Sequence, residues 1–265
     1  MMNKEQARLT LIDGPTLLIE LGGLRILTDP TFDEPQAYTT GATTVEKFHS
    51  PPVPAESLLP IDAVLLSHDQ HKDNLDISGR AFLPRAGTVL STVGAGERLG
   101  GNTQGLAPWS SVDIPLPDGR ILTITGTPGR HGPAGFERIN GEVTGFVLAT
   151  GDLPAIYVSG DTVWYPGVAE VSRRFNVGLA ILYTGGAQPK GPFNVTMNTN
   201  DAIEAATAFR NAKIVGIHNF GWSHYRQSQE DLAKAFEAVG LGERLLRLEP
   251  AVALTVAIEA VPAYA

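Results

Sequence analysis

The apolar residues of this chain come in short runs, and each run stops at a turn residue. Leu9–Ile12, Thr16–Leu21 and Leu24–Thr28 are separated by Asp13-Gly14-Pro15 and Gly22-Gly23. Runs of four to six residues between Gly, Pro and Asp read as strands, so the start of the chain predicts a strand meander. Ala63-Val64-Leu65-Leu66 is continuously apolar between Asp62 and Ser67, the pattern of a strand buried on both faces. Thr88–Ser91, Ile121–Thr125, Gly145–Ala149, Ile156–Ser159, Leu179–Tyr183 and Lys213–Ile217 are further strand candidates. Residues 33–60 form a polar, proline-containing connection that reads equally as a functional flap or a plain surface excursion.

Helical spacing is confined to short segments in the first two thirds. A short helix is expected to start near Asp76, and Gly94–Leu99 reads as a helical turn. In the last third, Asn200 can cap a helix over Asp201 to about Arg210, with Ile203, Ala206 and Phe209 on one face. Ser228 can cap a second helix, with Leu232, Phe236 and Val239 in register and Gly240 at its end. Strands first, then strands alternating with helices, predict an α/β (α+β) architecture of two sheets face to face with helices outside.

Composition removes several chemistries. The chain has no Cys, which excludes disulfides, thiolate nucleophiles and thiolate-held metal or iron–sulfur centres. Its 28 acidic and 20 basic residues give a net charge of −8, which argues against a nucleic-acid surface. Leu9 to Leu27 is the most apolar early stretch, and Asp13, Glu20 and several Gly and Pro residues interrupt it. A signal peptide and a membrane span are therefore not expected. The expectation is a soluble cytoplasmic protein with a small-molecule partner, no nucleic acid and no membrane, and homo-oligomerisation left open.

Histidine placement points to a site. Of six histidines, His68, His131 and His218 each follow a predicted strand, and His71 lies three residues after His68. Asp161 follows Ile156–Gly160 in the same manner. Neutral imidazole and carboxylate are the ligands available to zinc, iron or manganese when thiolates are absent. In His68-Asp69-Gln70-His71-Lys72-Asp73-Asn74-Leu75-Asp76, the loop lets His68 and His71 reach one cation while Asp73 faces another. The competing reading is a helix N-terminus in which Asp73 or Asn74 only caps. Asp76 reads as the cap or as an acceptor for a ligating imidazole.

Together these segments resemble the metallo-β-lactamase fold superfamily, in particular the branch similar to L-ascorbate-6-phosphate lactonase. That signature is a strand followed by Ser/Thr-His-x-His-x-Asp-His, often with Leu-Asp after it. Here Ser67-His68 through Leu75-Asp76 matches it, followed in order by Thr127-Pro128-Gly129-Arg130-His131, Gly145-Phe146, Gly160-Asp161-Thr162, Gly185-Gly186-Ala187 and Ile217-His218. The resemblance implies a four-layer αββα sandwich and a single hydrolase domain over residues 1–265. It places His68, the second His and His131 on one metal, Asp73 and His218 on another, and Asp161 between them. This sequence departs from the pattern twice. The signature is one residue longer, so either Gln70 or His71 fills the second position; His71 is the better zinc ligand. Asn74 stands where the closing His belongs, which removes one imidazole from the second metal.

The implied cofactor is one or two divalent ions, zinc first, with manganese or iron as alternatives. Such an ion lowers the pKa of bound water to about 7, and Asp73 is the group to orient or deprotonate that water. The implied activity is hydrolysis of a lactone, amide or phosphoester. An iron-dependent redox protein of the same fold and a non-catalytic ligand-binding member are the alternatives. His224 reads as a general acid or a replacement ligand. Trp222, Tyr225 and Trp164 read as pocket wall or as packing. Lys190 reads as solvated or as meeting an anionic substrate. Gly94-Ala95-Gly96 lacks the Lys-Ser/Thr of a phosphate loop.

Overall fold

The computed structural model describes residues 5–258; the expected domain ends at 1 and 265 lie outside them. The chain opens with the meander β1 (Glu5–Asp13), β2 (Thr16–Leu21) and β3 (Leu24–Thr28). A hairpin of β4 (Gln36–Thr40) and β5 (Thr43–Lys47) comes next, then β6 (Ala63–Leu65), α1 (Ile77–Phe82), β7 (Thr88–Ser91), α2 (Val93–Leu99) and β8 (Thr103–Gly105). The second half runs β9 (Ser111–Pro115), β10 (Ile121–Pro128), α3 (Glu137–Asn140), β11 (Thr144–Thr150), β12 (Ala155–Val158) and α4 (Pro166–Arg174). It finishes with β13 (Val177–Tyr183), α5 (Thr199–Ala208), β14 (Lys213–Ile217), α6 (Gln229–Ala238), β15 (Leu245–Leu246) and β16 (Ala253–Ile258).

Among the described residues the strands form two seven-stranded sheets, ordered β16-β1-β2-β3-β6-β7-β8 and β15-β14-β13-β12-β11-β10-β9, with the β4–β5 hairpin apart from both. Side-chain alternation explains why the sheets stack. On β13, Leu179, Ile181 and Tyr183 point into the layer shared with Leu9, Ile19, Ile26 and Leu65 of the other sheet. Ala180 and Leu182, one residue out of phase, point the other way and pack with Val168, Val171, Ala205 and Phe236 of α4, α5 and α6. On the opposite outer face, Phe82 of α1 and Leu83 cover Leu18, Leu27, Val64 and Val89. Each fully buried Leu or Ile contributes about 1.5–3 kcal/mol, so both faces of the central strands hold the four layers together. The layering is the αββα sandwich expected from the sequence.

Several element limits differ from expectation, for local reasons. Asn198, not Asn200, caps α5: its side chain accepts from the Asp201 amide, so the helix starts at Thr199 and ends at Ala208. Ser228 caps α6 as expected, in a reciprocal pair with Asp231. β10 continues through the expected Gly/Pro turn to Pro128 because β11 pairs with it from Leu122 to Pro128. Residues 33–60 are not a plain excursion: they contain the β4–β5 hairpin. β1 also has an outer partner, β16, for which no expectation was made.

The parallel strands β3, β6 and β7 of one sheet, and β12, β13 and β14 of the other, end on one rim. The α1 N-terminus is fixed just beyond it. Asp76 accepts from the Gly79 amide at 2.7 Å, and Asp33 accepts from the Ile77 and Ser78 amides and the Tyr38 hydroxyl at 3.0, 2.9 and 2.7 Å. Burial opposes the Asp33 charge, but the bonds from Ser78, Tyr38 and Ile77 outweigh it and hold its carboxyl below the usual range. The stabilisation is therefore present above the unfolded value near pH 4 and is lost as pH falls through the folded value. Urea titrations from about pH 5 to about pH 3 are expected to show a smaller stability loss in Asp33→Asn than in the parent. Equal slopes would contradict the assignment. Among the described residues no helix is long and apolar enough to cross a membrane.

Candidate metal centre

The strand ends deliver the expected residues to one place. His68 follows β6, His131 follows β10, Asp161 follows β12 and His218 follows β14. The His218 backbone has φ +57°, a left-handed conformation uncommon outside glycine, and its amide donates to the Gly14 carbonyl at 2.8 Å. The fixed turn aims its ring at Asp73 and Asp161.

Three imidazole nitrogens converge in a first cluster. His71 Nδ1 lies 2.8 Å from His68 Nε2 and 3.1 Å from His131 Nε2. His131 Nδ1 donates to the Val195 carbonyl at 2.8 Å, which leaves its Nε2 as a lone pair aimed at the cluster. His68 Nδ1 faces Ser67 Oγ at 3.0 Å. Burial is the main cause that holds all three rings below their usual pKa, His131 down to about 3. They are neutral at pH 7, as ligation requires. Gln70, the competing candidate, is exposed. The turn in which the Leu75 amide donates to the His71 carbonyl at 2.9 Å brings His71 inward instead.

Asp73, Asp161 and His218 form a second cluster. His218 Nε2 lies 3.4 Å from both Asp73 Oδ2 and Asp161 Oδ1, and Asp161 Oδ2 lies 3.8 Å from His131 Nε2. Asp161 thus has one oxygen toward each cluster. Within each cluster the ligand atoms all lie within 4.8 Å of one another. Burial opposes the Asp73 charge, but the imidazoles of His224 and His218 outweigh it and hold the carboxyl well below the usual range. Asp161, buried and beside Asp73 and Asp29, is held well above it.

The donor set fits a cation better than it fits itself. Both ring nitrogens of His218 are buried without a hydrogen-bond partner. Three imidazole nitrogens share too few protons to satisfy one another, and ligand nitrogens around a tetrahedral ion stand about 3.3 Å apart, close to the spacing seen here.

The remaining expected residues are distributed unevenly. His224 is buried and its Nε2 contacts Asp73 Oδ2 at 2.8 Å, while the Tyr225 ring packs 4.5 Å from that of His218. Trp222, expected in the pocket wall, is buried beneath Tyr38, their ring centroids 5.6 Å apart. Trp164, also expected there, packs with the outer helix layer. Both large rings are drawn to apolar contacts away from the opening. Asn74 is fully buried and donates to Asp161 Oδ1 at 3.0 Å, orienting that carboxylate where the signature has an imidazole. A cavity of about 140 Å³ opens onto both clusters, walled by the hairpin residues Tyr38 and Val45 and by Lys72, Asn140 and Lys190. Asn140 and Lys72 had no signal in the sequence, and the hairpin lies in residues 33–60, where a flap was one of two readings.

Gly160 sets the approach of Asp161. It has φ +60°, and a Cβ there would stand 2.6 Å from the Thr144 carbonyl oxygen and 2.8 Å from Ser67 Cβ. Gly160→Ala is expected to cost about 2–4 kcal/mol and to displace Asp161, read as a lower melting temperature and weaker metal retention. A neutral effect on both would contradict the close packing.

Two facing sheets with a shared His/Asp rim define a metallo-β-lactamase-like sandwich. The chain belongs to the Beta-lactamase superfamily domain family, which residues 24–219 match. It is 24% identical over 248 residues to the UPF0173 protein YddR of Bacillus subtilis, covering 90% of this chain and 95% of that one. It is 25% identical to a UPF0173 metal-dependent hydrolase of Pyrobaculum aerophilum, covering 84% and 88%. Among solved structures, the isothiocyanate hydrolase from Delia radicum gut bacteria superposes with a TM-score of 0.78 at 26% identity, covering 93% of this chain and 98% of that chain.

Proposed function

We propose that this chain is a metal-dependent hydrolase that cleaves a small molecule with metal-activated water, and that residues 1–265 act as one domain. The observation that carries the reading is the convergence of His68, His71 and His131 beside Asp73, Asp161 and His218, with His218 left without hydrogen bonds. His68, His71 and His131 would hold one ion, and Asp73, Asp161 and His218 a second, with Asp161 serving both. Imidazole and carboxylate suit zinc, iron and manganese; zinc is proposed first. A bound divalent ion supplies Lewis-acid polarisation and water of lowered pKa.

The chain's own groups handle the protons. Asp73 Oδ2 orients the attacking water and takes its proton. His224 Nε2, 2.8 Å from that oxygen, accepts this proton from Asp73 and delivers it to the leaving group. Asn74 holds Asp161 in place through its amide. Tyr38 and Val45 of the hairpin screen the cavity from solvent. The bond cleaved is proposed to be a lactone, amide or phosphoester, with the resemblance to the lactonase branch favouring a lactone or cyclic amide. One structural neighbour is an isothiocyanate hydrolase, and fold alone does not choose among such bonds.

Elemental analysis of purified protein, paired with a panel of lactones, amides and phosphodiesters, tests the reading. The expected result is about one or two ions per chain and chelator-sensitive turnover of one panel class. Turnover that survives complete metal removal would overturn it.

A further inference from the structure

Two ammonium groups in the cavity wall have no acidic partner among the described residues. Lys190 donates to Asn140 Oδ1 at 2.8 Å. Asn140 is buried and donates its own amide to the His131 carbonyl at 3.0 Å. This ties the Lys190 ammonium to the strand end that carries a site imidazole and leaves two of its three N–H bonds free. The Phe136 ring lies 5.9 Å away on another side. The Lys190 charge is close enough to His71 to disfavour its protonation. Lys72 lies between His71 and Asp73 in sequence, is half-buried, lines the same cavity, and has no hydrogen bond or ion pair among the described residues.

Several other cations among the described residues are ion-paired. Lys47 bonds Asp13 and Asp76, Arg98 bonds Asp69, and Arg25 bonds Glu20. Lys190 is exposed, but Lys72 is half-buried, and leaving that ammonium partly desolvated without compensation is unfavourable. The acids that face the cavity, Asp73 and Asp161, are committed to the imidazoles and to the ions those residues would hold. The wall is thus positive where a ligand enters.

We propose that the substrate carries an oxyanion separate from the bond that is cleaved, and that Lys72 and Lys190 bind it. Carboxylate and phosphate share this chemistry. A cavity of about 140 Å³ suits a small molecule. The inference rests on reading the cavity as the hydrolase site.

Isothermal titration of the purified metal-containing protein with succinate, inorganic phosphate and neutral succinamide tests it, in the parent, Lys72→Gln, Lys190→Gln and the double variant. Each single variant is expected to weaken anion binding about tenfold and the double about a hundredfold. Metal content should stay unchanged and succinamide should not bind. The tighter anion identifies the group. A parent that binds neither anion, or a double variant that binds both as well as the parent, overturns the proposal. Repeating the series on chelator-treated protein separates the two readings. Lysine-dependent binding that persists there keeps the anion site independently of the hydrolase, which fails separately if the parent takes up no metal when supplied with it.

Discussion

Asp161→Asn is expected to stabilise the chelator-treated protein while it destroys metal binding and turnover. Asp161 is 1% exposed and lies beside Asp73 and Asp29, with Asn74 as its hydrogen-bond donor. Burial, then these two neighbouring charges, push its pKa well above the usual range, so the folded state binds a proton that the unfolded state releases. A raised acid pKa destabilises the fold increasingly as pH rises above the unfolded value near 4, up to the folded value. The isosteric amide removes that cost. At neutral pH the metal-free gain is about 2 kcal/mol, roughly 5 °C in melting temperature. With metal the order reverses. Saturation at a hundredfold over Kd adds about 2.7 kcal/mol to the parent and nothing comparable to the variant. Hydrolysis should fall by about a thousandfold or more, because the residue faces both clusters. Melting curves with and without chelator read all of this. A variant less stable than the parent in both conditions would contradict the argument.

The second large effect lies under the hairpin. Lys47 is fully buried, with Nζ 2.8 Å from Asp13 Oδ2 and 3.3 Å from Asp76 Oδ2. It joins β5 to the end of β1 and to the cap of α1. Backbone bonds from Phe48 to Gly221 and from Ser223 to Glu46 complete the anchor. Lys47→Ala strands two buried carboxylates and is expected to cost about 3–5 kcal/mol, roughly 10 °C in melting temperature. The hairpin that walls the cavity should loosen with it, raising KM more than it lowers kcat. Lys47→Met combined with Asp13→Asn removes charge from both sides and should recover part of the loss. A Lys47→Ala protein within about 1 kcal/mol of the parent would show that the cluster contributes little.

Much of this arrangement is legible in the residues. The β6 strand reads as buried because its apolar run is continuous, and the structure covers both its faces. Asp76 and Ser228 read as caps because short polar side chains before apolar spacing satisfy free amides. The histidines and Asp161 read as a site because each follows a strand. Other features carried no such pattern. The spacing of the signature left Gln70 and His71 open, and only the turn that closes on the His71 carbonyl brings His71 inward. The β4–β5 hairpin turns Lys47 inward and offers only Ala37, Tyr38 and Val45 as apolar residues, so it has no apolar alternation to read. β16 does alternate, with Val256 and Ile258 turned inward, but it follows no strong turn signal. Lys72, Asn140 and Lys190 meet only through tertiary folding, from two loops and the end of α3. Trp164 and Trp222 read as pocket residues from their positions beside Asp161 and His218, yet packing took both rings elsewhere.

The most direct test of the central claim is anomalous diffraction from crystals of the metal-loaded protein. The expected result is a strong peak among His68 Nε2, His71 Nδ1 and His131 Nε2, with any second peak among Asp73, Asp161 and His218. A map with no peak at either cluster, with those side chains turned to separate surroundings, would contradict it.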